Sequence, residues 1–143
     1  MEKIISIDEI SEGEKWNSYE GYLIKTDKQE IKLLIEGGQS CCETWGYFLS
    51  EDDISYFVGS DLIDVTLTDV SLNTIKFMNE LEKNEISYDT PFKQPYIYYG
   101  DIMFVNINTT NGLLQFCAYN EHNGYYGHTA KVISTQLTHE KCL

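Results

Sequence analysis

Asp101–Ala130 reads DIMFVNINTTNGLLQFCAYNEHNGYYGHTA. Ile102, Phe104 and Ile107 precede Thr109-Thr110-Asn111-Gly112, and Leu113, Leu114, Phe116, Ala118 and Tyr119 follow it. Two β-rich runs around Asn-Gly predict a hairpin, and a type I′ turn there would place both Asn111 and Gly112 at positive φ. The second strand runs into a polar, glycine-spaced segment, Asn120 to His128, that holds His122, Tyr125, Tyr126 and His128. Aromatic rings and imidazoles at the end of a stiff hairpin make a candidate binding loop, together with Trp45.

The same alternation recurs toward the N-terminus. Glu2–Ile7 reads as a short strand, Ser11–Glu14 as a turn, and Trp16–Thr26 and Glu30–Glu36 as two strands around Asp27-Lys28-Gln29. Ser40–Phe48 suits a strand or extended loop. Ser50 is placed to cap a short helix carrying Ile54, Phe57 and Val58 and ending at Gly59, with Glu51, Asp52 and Asp53 at its positive end. Asp61–Val70 alternates as a strand. Leu72–Lys83 spaces Leu72, Ile75, Met78 (or Phe77) and Leu81 as one helical face. Pro91 and Pro95 make Asn84–Pro95 a loop. Ala130–Thr135 would add a last strand, and Gln136–Leu143 would fray. The expected fold is a single domain, 1–143, of α+β class: a mainly antiparallel sheet of about five to seven strands on two hairpins, with one or two helices packed on it.

The two hairpins echo each other. Ile24-Lys25-Thr26 resembles Ile107-Asn108-Thr109, and each hairpin is followed by a glycine-bearing aromatic segment, Trp45-Gly46-Tyr47-Phe48 or Gly124-Tyr125-Tyr126-Gly127. Duplication and convergence on hairpin chemistry both account for so few identities.

With 23 acids against 10 bases, the 143-residue chain carries −13 at pH 7. Direct nucleic-acid binding is excluded as an expectation, because phosphate contacts need clustered Lys and Arg. A basic protein surface is the complementary partner. The acids Glu43, Glu51, Asp52, Asp53, Asp61, Asp64 and Asp69 form the candidate face, weighed against a merely solvated surface. No apolar run reaches the roughly 20 residues of a membrane span. Met1–Ile5 lacks a signal-like pattern, so a cytoplasmic protein is expected.

Cys41 and Cys42 with His122 or His128 could assemble a zinc site or a thiol–imidazole pair. The spacing fits neither a finger nor a ribbon, and nothing orients a third group. No metal, cofactor or catalytic residue is therefore assigned, and a binding protein is expected over a thiol-dependent enzyme. The Tyr125–Tyr126 loop could stack a base, which makes a nucleotide-signal sponge the second reading; it would need bases such as Lys25 or Lys131 in the pocket. A homodimer is also compatible with the sequence.

Cys41-Cys42-Glu43-Thr44-Trp45, with the hairpin ending in Asn123-Gly124-Tyr125-Tyr126-Gly127, resembles an uncharacterised domain family of small proteins from Gram-positive bacteria and their phages. The resemblance spans roughly Trp16–Val132 and is weakest over Leu72–Tyr99. Asn120-Glu121-His122 departs from the family's more basic or Ser-rich lead-in. The resemblance brings no catalytic residues. Its phage association implies an inhibitor of bacterial defence, anti-CRISPR-like, seated on the nucleic-acid-binding surface of a guided nuclease in the host cytoplasm.

Overall fold

A computed structural model describes residues 1–14, 17–38, 43–90, 96–122 and 127–143. Its strands are β1 (Glu2–Glu12), β2 (Tyr19–Thr26), β3 (Glu30–Glu36), β4 (Glu43–Leu49), β5 (Asp61–Thr68), β6 (Tyr88–Asp89), β7 (Tyr96–Ile97), β8 (Gly100–Thr109), β9 (Gly112–His122), β10 (Thr129–Ile133) and β11 (Thr138–Cys142). One helix, α1 (Thr74–Lys83), and one 3-10 turn, Ile54–Phe57, complete the described elements. The α+β expectation of five to seven strands is overturned. Strands hold 59% of the described residues and helices 11%. Nine strands form one antiparallel sheet, in the order β11-β10-β3-β2-β1-β5-β8-β9-β4, while β6 and β7 pair separately.

The extra strands come from stretches whose polarity argued against them. Glu9–Glu12, half of it assigned to a turn, pairs with Tyr19–Tyr22 as the end of β1. Thr138–Cys142, expected to fray, pairs with β10, and Leu143 behind it is 2% exposed. An outermost strand keeps one face in water, so charged residues do not disqualify it.

An internal two-fold runs through the sheet. Equating β1 with β5, β2 with β8, β3 with β9 and β10 with β4, the eight strands other than β11 read the same from either end. The registers agree as well. Ile24 faces Ile31 as Ile107 faces Leu114, and Ala130 faces Ile35 as Tyr47 faces Ala118. Each central strand carries the same bulge, between Ile4 and Ser6 and between Leu62 and Asp64. Lys3 faces Asp61 at the axis, with Asp27 N donating to Lys3 O (3.1 Å) and Thr110 N to Asp61 O (2.9 Å). The echo of Ile24-Lys25-Thr26 in Ile107-Asn108-Thr109 is this two-fold seen in sequence. Its aromatic half aligns differently: β4 corresponds to β10, not to Gly124–Gly127.

The sheet folds back on itself around one core. Ile24, Ile31, Leu33, Ile35 and Val132 of one half meet Val65, Val105, Ile107, Leu114 and Phe116 of the other. The remaining asymmetry lies on the outer face. Over β8-β9-β4 that face carries Phe104, Cys117, Tyr119 and Phe48, and α1 covers it with Phe77 and Leu81, both fully buried. The corresponding positions of the other half are Gly21, Leu34, Glu36 and Lys131, where long side chains lie across the surface. Lys131 Nζ sits 4.0 Å over the Tyr19 ring and Lys32 pairs with Glu12 at 2.9 Å. Apolar outer residues thus call for a helix on one half only. The helix is capped by Asn73, which accepts from Lys76 N. Its buried pair is Phe77 and Leu81, whereas Ile75 and Leu72, expected on the apolar face, are 74% and 41% exposed.

Two local expectations also change. Gly112 has φ +116°, but Asn111 does not adopt positive φ, since Glu85 is the only non-glycine residue that does among those described. Thr109 pairs with Gly112, so the chain turns over Thr110-Asn111 and is not type I′. Thr109 Oγ1 supplies the reason, bonding Asn111 N (3.1 Å) and Gly112 O (2.8 Å) across the bend. Ser50 caps no helix; it is buried and its Oγ accepts from Gln115 N.

Gly46 is demanded by packing. A Cβ there would lie 2.3 Å from Tyr119 Oη and 2.6 Å from Cζ. That hydroxyl is fixed by Glu80 (3.2 Å) and Asn84 (3.1 Å). Gly46→Ala should lower stability by about 1–3 kcal/mol in urea unfolding, and an unchanged midpoint would show that the Tyr119 ring is not held there.

Candidate functional site

The predicted site residues separate into two places. The first is buried. Glu43 opens β4 and His128 leads into β10, so these two residues join the ends of the exchanged strands. Glu43 Oε1 lies 2.7 Å from His128 Nε2, with the two side chains 1% and 5% exposed. His128 Nδ1 meets the Glu36 carbonyl at 2.5 Å. Trp45 stacks on the imidazole with centroids 5.1 Å apart. Trp45 and His128 are themselves two-fold equivalents, so the stack marks the far end of the axis. Both ring nitrogens are engaged, one by the Glu43 carboxyl and one by the Glu36 carbonyl. His128 therefore has no free nitrogen to offer a substrate or metal without breaking a bond. The geometry is that of a lock between β4 and β10. Glu43, expected on the acidic face, is withdrawn from it.

The second place is exposed. Glu51, Asp52 and Asp53 follow β4 on the surface. Glu51, Asp53 and Tyr56 line a cavity of about 370 Å³ with Asn111, Gly112 and Leu113 of the β8–β9 turn. Asp61, half-buried, joins them through its backbone N–H to Thr110 Oγ1 (2.9 Å). Asp52 turns toward α1, where Lys76 Nζ at 2.8 Å holds its carboxyl below the usual carboxylate range. Asp64 stands opposite Asn108 further along β5. Asp69 lies at the other end, in a cavity shared with His139 and Lys141. The seven acids do not form one face. Glu51 and Asp53 share one cavity, and Asp61 meets the same turn through its main chain; the others are paired, buried or remote.

His122 ends β9, its N–H donating to Tyr99 O. Asn123, Tyr125 and Tyr126 lie outside the described residues, as do Cys41 and Cys42. Cys117, facing α1, has its thiol pushed up by burial. Among the described residues no three His, Cys, Asp or Glu side chains gather as a metal site.

One feature escaped sequence reasoning. Tyr22 and Tyr47 meet edge to face at 5.7 Å, and Tyr47 Oη donates to Glu9 Oε2 at 2.6 Å. Burial first, then this bond, pushes the Tyr47 hydroxyl well up. Their spacing in the sequence carries no signal, because β2 and β4 meet only across the folded sheet.

These features define a mostly β protein with a buried hydrogen-bonded Glu43–His128 lock inside and exposed acids outside, and no described helix is long and apolar enough to cross a membrane. The chain belongs to the family described as Domain of unknown function (DUF7448), whose model matches residues 1–132. The match runs through β4 and into β10, so it includes both strands joined by the lock, and stops before β11. Neither the curated proteins nor the solved structures yielded a match.

Removing one partner of a buried polar pair strands the other. Glu43→Leu and His128→Leu should each cost about 3–5 kcal/mol, and the double variant less than their sum. A double-mutant cycle by chemical unfolding checks this; additive losses would mean that the pair is not coupled.

Proposed function

We propose that this protein is a non-enzymatic, acidic interaction protein that docks on a basic surface of another protein. One observation carries the reading: Glu51 and Asp53 line a cavity with the β8–β9 turn, which Asp61 meets through its backbone N–H, on a chain with a net charge of −13. Carboxylates exposed beside this turn would meet a lysine- or arginine-rich surface, and electrostatic attraction speeds the encounter. The engagement of both His128 nitrogens supports binding over chemistry.

The role that fits this charge is inhibition of a bacterial defence protein by occupying its nucleic-acid-binding surface, and an origin in Gram-positive bacteria and their phages belongs to the same proposal. The nucleotide-sponge reading is the second one; its Tyr125–Tyr126 loop lies outside the described residues.

The test is capture of partners from a host lysate at low salt, followed by titration of the captured protein. Affinity should fall at least about tenfold between 50 and 300 mM salt. The Glu51→Gln/Asp53→Asn/Asp61→Asn variant should bind about tenfold more weakly. Salt-independent binding that ignores this variant would overturn the proposal.

A further inference from the structure

We infer that the free edge of β4 receives an extended, lysine-bearing segment of the partner as an added strand. The inference rests on the acidic docking reading above and names how that docking occurs. Ser50 N donates to Gln115 O at 2.8 Å, which sets the phase of the β4–β9 ladder. Residues 44, 46 and 48 then bond toward β9, and the N–H and C=O groups of Trp45, Tyr47 and Leu49 point away from it. β4 ends the sheet, so these groups have no strand partner among the described residues.

The two-fold shows what such an edge takes. The equivalents of Trp45, Tyr47 and Leu49 are His128, Ala130 and Val132. There the edge is occupied: β11 pairs along β10, Lys141 opposite Ala130 and His139 opposite Val132, and His128 exchanges bonds with Leu143 in both directions. One edge of an internally symmetric sheet therefore carries a strand and its mate, among the described residues, does not.

Among the described residues the vacant edge is also unguarded. β11 is short and exposes Thr138, His139 and Glu140, the charged habit of a protected outer strand. After the buried Glu43, β4 runs Thr44-Trp45-Gly46-Tyr47-Phe48-Leu49 without a charge. Main-chain donors and acceptors in a row, beside aromatic side chains, are what strand addition uses. Charge selects the occupant. Glu9 bonds Tyr47 beside the edge, and Glu51 and Asp53 lie just beyond Leu49, exposed. Lysines alternating along an extended segment would meet both groups.

The probe is a synthetic ten-residue peptide of alternating lysine and valine, with the glutamate–valine peptide as counterpart, read by amide hydrogen exchange on the full chain. Saturating lysine–valine peptide should slow exchange of the Trp45, Tyr47 and Leu49 amides at least about tenfold, and the glutamate–valine peptide should leave them unchanged. Tyr47→Pro removes no ladder bond, because that N–H has no strand partner, and should abolish the protection; the wild-type measurement stands whether or not the variant folds. Equal protection by both peptides would overturn the choice of a basic occupant. So would protection of these amides by rising protein concentration alone, which would assign the edge to a second copy. Binding of the lysine–valine peptide with protection elsewhere, or no binding, would overturn the edge as the docking element. Partner capture that keeps its salt dependence and its need for Glu51, Asp53 and Asp61 would leave the acidic docking reading standing in that case.

Discussion

A strand at the margin of a sheet leaves a row of N–H and C=O groups without partners. β3 and β9 would each be such a margin if the two halves of this chain folded separately. Each is instead completed by a strand from the other half. β4 follows β3 in sequence yet pairs with β9, and β10 follows β9 yet pairs with β3. This exchange binds the halves together more firmly than the short β1–β5 pairing at the axis could. It also carries Glu43 and His128 to one place. The lock, the Trp45 stack and the single core all follow from it.

Departures from the two-fold locate what is particular to this protein. Between β5 and β8 the chain inserts α1 and the β6–β7 pair, which cover the apolar outer face of one half. After β10 it adds β11, which covers one edge. The opposite edge has no strand among the described residues and is floored by Tyr47 and Tyr22 where its mate has Ala130 and Val105. Glu51 and Asp53 then gather at the end of this edge, next to the hairpin turn. The most asymmetric region of the molecule is therefore the region that combines open backbone with concentrated charge.

Much of the sheet was legible because period-two alternation survives wherever one face meets water. Glu30–Glu36 and Asp61–Thr68 are such strands. Thr138–Cys142 was not legible, because an outer strand with a polar face looks like a tail. The helix was legible in place but not in orientation: Ile75 lies in the spacing of an apolar face, yet Phe77 and Leu81 fit the pocket made by Phe48, Phe104 and Tyr119. Ser50 and the acids after it resembled a helix start, and no local rule shows that Gln115, distant in sequence, claims the serine. The site was legible by residue type only. His128 and Trp45 were singled out, but their stack and the burial of Glu43 depend on strand exchange, which no pattern within a single strand encodes. The internal echo was the one trace of it, and three-residue similarity could not show that the registers also agree.

The exchange itself is open to direct measurement. In the labelled protein, the non-hydrogen-bonded pairs of each exchanged ladder bring α-protons within reach of one another. Nuclear Overhauser cross-peaks should join the α-protons of Tyr47 and Ala118, and those of Ala130 and Ile35. Cross-peaks joining β4 to β3, or β10 to β9, would contradict the exchange and with it the two-fold, the lock and the assignment of β4 as a free edge.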